Sequence, residues 1–242
     1  MASQATPVAA PRAAVWEDFV DIFYAPADVF RRREGGNAFV PLAVITVVCA
    51  ATFYLNSGAL QPIFDAEFDR GMVTAMRQNP NLPPEAAEQF RGVAMRLQQV
   101  AIFVFMPLAM FGVGVTTWLA GKLVDATQTF RAALVVGAYA YSPRILDSVL
   151  QGLQGLFVDP SQLDGRFRLS LGVGRFLDPD IVSPLLLAVV GRVDLITIWI
   201  TVLVAIGISV TGRIPLGKAA IAAAIVWIVG GLPLIIPALR SM

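Results

Sequence analysis

The chain has 242 residues, of which 57% are hydrophobic and only 14% charged, with a mean hydropathy of +0.70. That balance belongs to a polytopic membrane protein and excludes an ordinary water-soluble core. The net charge of +1 offers no bulk attraction to nucleic acid, so the expected partners are the lipid bilayer and either another membrane protein or a second copy of the chain.

Histidine is absent, which removes imidazole ligands and the commonest general base. The single Cys49 sits in an apolar run and reads as a small buried hydrophobe. No metal or cofactor is expected. The opening residues, MASQATPVAAPRAAVWEDF, lack the basic start and apolar core of a secretory signal, so insertion falls to later segments.

In chain order, residues 1–34 form a tail containing an amphipathic segment. Trp16, Phe19, Val20 and Phe23 recur at helical spacing against Glu17, Asp18 and Asp21 on the other face, a pattern suited to the membrane interface. Pro26 then starts a short helix ending in Arg31, Arg32 and Arg33, which serve as an orientation signal or touch anionic headgroups. The predicted fold class is all-α, with about five transmembrane helices and an extramembrane helical hairpin.

The first span covers 39–58 and the second 100–120, each inside a stretch free of charge. Between them, 60–99 reads as the hairpin, turning at NPNLPP. Its apolar stripes (Phe64, Phe68, Met72, Met76 and Phe90, Val93, Leu97, Val100) are expected to form its core. Its second arm is expected to run on into the second span as one long helix over 84–120, with a kink at Pro107.

The third span, 132–157, holds Pro143, Arg144 and Asp147 and is the least suited to lipid. The segment RFRLSLGVGRF (166–176) alternates with period two and suggests a two-stranded turn or an extended strip. The stretch 181–190 is too short to span alone. The fourth and fifth spans are 195–211 and 219–239.

Ionisable groups at membrane depth are expensive and are kept when they pair, line water or do a job. Arg144 with Asp147 and Arg192 with Asp194 are two such couples, both expected near the same face. A joint cluster is therefore predicted, with Arg144 near Asp194 or Arg192 near Asp147. Short basic flanks favour a cytoplasmic N-terminus, placing Arg31 to Arg33, Lys122 with Arg131, and Arg213 with Lys218 on one side.

Catalytic motifs are missing: there is no Gly-x-Ser-x-Gly, His-Glu-x-x-His, Cys-x-x-Cys or phosphate-cradling glycine loop. Asp147 and Asp194 resemble an aspartyl dyad only superficially, because an arginine stands two or three residues from each and favours both charged forms. No catalytic residue is assigned.

Three stretches resemble the Yip family, the Ypt/Rab-interacting-protein type of membrane domain: FVDIFYAPADVF (19–30), FRAALVVGAYAYSP (130–143) and 186–227, including RVDLITIW. The resemblance implies a Yip-type domain over 35–242 with five spans and a cytoplasmic N-terminal region, in a bacterial cytoplasmic membrane. It further implies a non-enzymatic scaffold or accessory subunit acting through helix contacts. The competing expectation is a small transporter or channel whose polar site is Arg144, Asp147, Arg192 and Asp194. A role in organising lipid rests on the N-terminal segment alone.

Overall fold

A computed structural model describes residues 14–81 and 83–240, and among them the regular structure is helical. The first 13 residues of the expected tail lie outside the described residues. The described chain opens with α1 (Val15–Asp21) and α2 (Pro26–Arg33), the latter started by proline at its first position, where the missing N–H costs nothing. Next come α3 (Phe39–Leu55) and α4 (Ser57–Gln78), whose axes differ by 87°. α4 therefore lies crosswise to α3 instead of continuing it.

α5 (Pro84–Leu123) is a single helix of 40 residues, about 60 Å long. It is unbroken between Gln89 and Val100 and carries Pro107 inside it. The hairpin's interior differs from expectation. Phe90, Val93, Leu97 and Val100 are all more than half exposed, so this stripe does not form a core with α4. Polar contacts hold the two arms instead: Arg91 pairs with Asp65 at 2.9 Å and with Asp69, and its guanidinium lies 4.6 Å from the Phe68 ring centre. Arms clamped at one arginine leave a cleft of about 250 Å³ between them.

The expected third span is broken. α6 (Phe130–Tyr139) ends and α7 (Pro143–Phe157) begins across Ala140, Tyr141 and Ser142. Pro143 has no N–H, and its ring would collide with the Tyr139 carbonyl of a continuous helix. The chain answers with short turns, Tyr141 N–H to the Ala138 carbonyl and Ser142 N–H to the Tyr139 carbonyl. α6 is the central helix: Ala132, Ala133, Val135, Val136, Gly137, Ala138 and Tyr139 are all buried. It meets α5 backbone to backbone, for a Cβ on Gly137 would lie 2.5 Å from the Gly114 nitrogen and 2.8 Å from the Met110 oxygen.

Residues 158–183 form a cap. The 166–176 strip is not a pair of strands; it folds as turns, including a 3-10 turn over Val173–Phe176, with one isolated bridge between Gly172 and Asp194. Arg70 of α4 reaches into this cap, donating to Asp180 at 2.7 Å and to the Asp164 carbonyl, while Arg166 pairs with Glu67. Beneath it, Leu60, Ile63, Leu163 and Leu169 make a small separate core.

α8 (Pro184–Val190), α9 (Leu195–Gly212), α10 (Leu216–Val229) and α11 (Leu232–Arg240) complete the chain. Among the described residues three helices are long and apolar enough to cross a membrane, within α5, α9 and the α10–α11 pair, or four if bent α3–α4 counts as one span. The expected count of five thus depends on α3 alone and on the broken α6–α7 pair. The main core packs Val135, Val136 and Tyr139 of α6 against Ile200, Leu203, Val204 and Ile208 of α9, with Ile22, Val29 and Phe30 contributed by the N-terminal helices.

Candidate functional site

The two expected couples come to one neighbourhood at the start of α9, but by an indirect route. Arg144 donates to Asp147 at 2.8 Å, and the other Asp147 oxygen accepts from Gln151 at 2.9 Å. Asp147 is buried, at 6% exposure, and the i to i+3 and i to i+4 spacings on α7 put all three groups on one face. The second Arg144 Nη points at the Thr197 hydroxyl, 3.4 Å away, and that hydroxyl donates to Asp194 at 2.8 Å.

Arg144 and Asp194 are therefore joined through Thr197 and not as a direct ion pair. Asp194 has a local reason to be where it is. Its carboxylate caps α9 by accepting from the Thr197 N–H at 2.9 Å, satisfying one of the helix's orphan donors.

Arg192 does not join Asp147. It crosses to the end of α10, donating to the Trp227 carbonyl at 2.5 Å and the Gly230 carbonyl at 2.8 Å, with its guanidinium 5.0 Å from the Trp227 ring centre. A cation on the carbonyl end of a helix is well placed by the helix dipole, and the indole face adds to it. The expected four-residue cluster is thus a triad, Arg144–Asp147–Thr197, with Asp194 behind it and Arg192 committed to a helix terminus. The register is held by the cap: Val173 N–H donates to the Val193 carbonyl and Leu195 N–H to the Leu171 carbonyl. A side chain at Gly172 would run into Asp194, so glycine is required there.

The N-terminal residues are the larger correction. Trp16 is exposed, but Phe19 packs 5.7 Å from the Tyr139 ring and Phe23 stands edge-on to Trp199 at 5.1 Å. Both are seated against the bundle. Arg31 is exposed and pairs with Asp28, while Arg32 and Arg33 turn inward onto Asp18 at 2.6 Å each. Asp18 is fully buried and also accepts from the Tyr139 hydroxyl at 2.9 Å. Arg32 further holds Asp21 at 2.5 Å.

This second ionic cluster escapes the sequence pattern, because an aspartate on the polar face of an amphipathic helix reads as a solvated residue. The signal that could have found it is a compact acidic set at 17, 18 and 21, followed a short helix later by three consecutive arginines. Among the described residues no group of three or more His, Cys, Asp or Glu is placed to hold a metal.

No curated protein and no solved structure matches the chain. The Yip1 domain matches residues 20–236, nearly the whole length and including both ionic clusters except Asp18, and on that match the chain belongs to the Yip1 domain family of membrane proteins.

Proposed function

We propose that this protein is a non-enzymatic scaffold or accessory subunit that works through helix contacts in the membrane, crossing it five times by way of α3, α5, the broken α6–α7 pair, α9 and α10–α11. One observation carries the reading. The charges buried in the bundle find partners inside the chain, on Asp147, on Asp18 or on helix ends, with Arg192 Nε left without a hydrogen bond, while the membrane-depth face of α5 stays open, with Val104, Phe105 and Leu108 each more than half exposed. A long apolar helix beside a core that pairs its own charges is suited to holding a neighbour, either another membrane protein or a second copy.

The test is photocrosslinking in native membranes from Phe105 and Leu108. A discrete protein adduct from both positions supports the scaffold, and adducts to lipid alone would sink it. A second reading, a small transporter or channel, is favoured by the break at Ala140 to Ser142 beside Arg144, since broken helices at membrane depth often line transport sites. Solute flux into proteoliposomes that disappears in Asp147→Asn would establish that reading instead.

For localisation we favour a bacterial cytoplasmic membrane with the N-terminus inside. An impermeant thiol reagent added outside should then label Ser161→Cys and spare Pro215→Cys.

A further inference from the structure

The N-terminal helices are seated too far along the bundle to lie at its end. At one extreme, Glu34 pairs with Arg213 at 3.7 Å and the Gly36 carbonyl accepts from Arg131 at 2.7 Å, so residues 34–36 stand at the end of α9 and the start of α6. At the other, Phe23 meets Trp199, which is 14 residues before Arg213, or about 21 Å along α9. Between these markers α2 packs along α9, and Asp18 takes the hydroxyl of Tyr139, eight residues or about 12 Å beyond Arg131 on α6. Four contacts on two helices give the same ordering. The legs are at the Arg213 end and the turn at Tyr24 and Ala25 is deep.

We infer that residues 15–33 form a re-entrant hairpin, entering the bilayer from the face that carries Arg131 and Arg213 and turning back within it, with acyl chains of that leaflet as its outer partner. A hydrocarbon core is about 30 Å thick, so an element reaching about 20 Å along a spanning helix is inside it. The side of α1 and of the turn that faces away from the bundle has the matching chemistry: Trp16 and Val20 of α1 and Tyr24 of the turn recur every four residues and are 68%, 52% and 71% exposed. Non-spanning backbone is tolerated at depth where its hydrogen bonds close within helices and its polar groups are covered by protein. The hydrogen bonds of the hairpin close within its helices and turn, and Asp18 is covered, closed by two arginines and Tyr139.

The outward charges on α2 are compatible with this setting. Asp28 and Arg31 lie 2.5 Å apart and enter as a neutral pair, and the arginine stem is long enough to carry its head toward the nearer headgroups.

The experiment places spin labels on the full chain in vesicles of zwitterionic lipid, after changing buried Cys49 to Ala. Labels go at Trp16→Cys and Tyr24→Cys, with Val202→Cys on the open face of α9 as the lipid reference and Lys218→Cys as the aqueous one. Collision with oxygen, concentrated in hydrocarbon, is compared with collision with a water-soluble nickel chelate. The inference expects oxygen to dominate at Tyr24 several-fold over its value at Lys218, approaching Val202, with Trp16 intermediate. A Tyr24 label that collides with nickel as freely as Lys218, or one shielded from both reagents, overturns it. The crosslinking test on α5 is independent, so failure of the scaffold reading leaves this result standing.

Discussion

Removing the Asp18 carboxylate should undo the seating of the N-terminal hairpin. Asp18→Ala leaves Arg32 and Arg33 without the anion they share and leaves the nearly buried Tyr139 hydroxyl without this acceptor. Breaking a buried ion pair from one side costs about 3 to 5 kcal/mol in general. Here the arginine side chains keep 28% and 25% of their surface exposed and partly rehydrate, so the ionic share falls to about 2 kcal/mol. An unsatisfied buried hydroxyl adds about 1 kcal/mol, for a total of about 3 kcal/mol.

The assay is denaturant unfolding of the purified chain in mild detergent, read beside thiol labelling of Val29→Cys, a fully buried position in α2. Asp18→Ala should lower the midpoint and open Val29→Cys to reagent. Tyr139→Phe should add less in the double mutant than alone, because both changes remove the same hydrogen bond. A loss below about 0.5 kcal/mol, the level of an ordinary surface substitution, with Val29→Cys still protected, would refute the ionic seating.

Gly137→Ala puts a methyl group against the α5 backbone at Gly114 and should cost about 1 to 3 kcal/mol in the same unfolding assay, whereas Gly112→Ala, which meets open space, should cost little. Asp147→Ala should destabilise more than Asp194→Ala, the first stranding Arg144 and the second removing a helix cap worth about 1 kcal/mol; the reverse order in thermal melts would show that Asp194 is Arg144's true partner. Arg213 closes α9 at φ 53°, so Arg213→Gly should gain up to about 1 kcal/mol, measured as a raised midpoint, against an exposed ion pair of small worth. In the cap, hydrogen bonds from Arg168 and Arg70 hold the Asp164 and Asp180 carboxyls below the ordinary carboxylate range. Their contribution is complete above the unfolded value of about 4 and is lost as pH falls through the depressed folded values, so a spin label at Phe176 should keep constant mobility from about pH 8 to 5 and loosen only below about pH 4.

Helix positions in the spans were legible because lipid-facing and core-facing residues are alike apolar, and charge exclusion alone marks them. The continuity of α5 was legible for a related reason, since neither Gln98 nor Gln99 breaks a helix, and the helix runs on past Pro107, where the sequence alone suggested a kink. Partners were harder to read. The stripe from Phe90 to Val100 has helical spacing, but spacing does not say which face meets α4, and Arg91 decided it by reaching two aspartates. The break over Ala140 to Ser142 follows from Pro143, whose effect depends on whether neighbouring helices can accept a turn there. Asp194 looked like half of an intramembrane couple, although an aspartate directly before an apolar run is also the pattern of a helix cap, and its charge drew attention away from the Thr197 N–H it accepts from. The inward turn of Arg32 and Arg33 was hidden for a different reason: their anion is 14 and 15 residues earlier, beyond any local period.

The unbroken α5 has a mechanical consequence. Its tightest support is the crossing at Gly114, about 45 Å from Pro84 and about 14 Å from Leu123 along the same rod. A rod resting on such a fulcrum is a lever with arms of roughly three to one, and since Pro107 removes a hydrogen bond from the long arm and lets it give, a sideways push of about 3 Å on the cleft side of the hairpin becomes an opposite movement of at most about 1 Å at Lys122. Force applied beyond one face of the bilayer would reach the turn at the other in reduced amplitude and reversed sense, with no rearrangement of the core between.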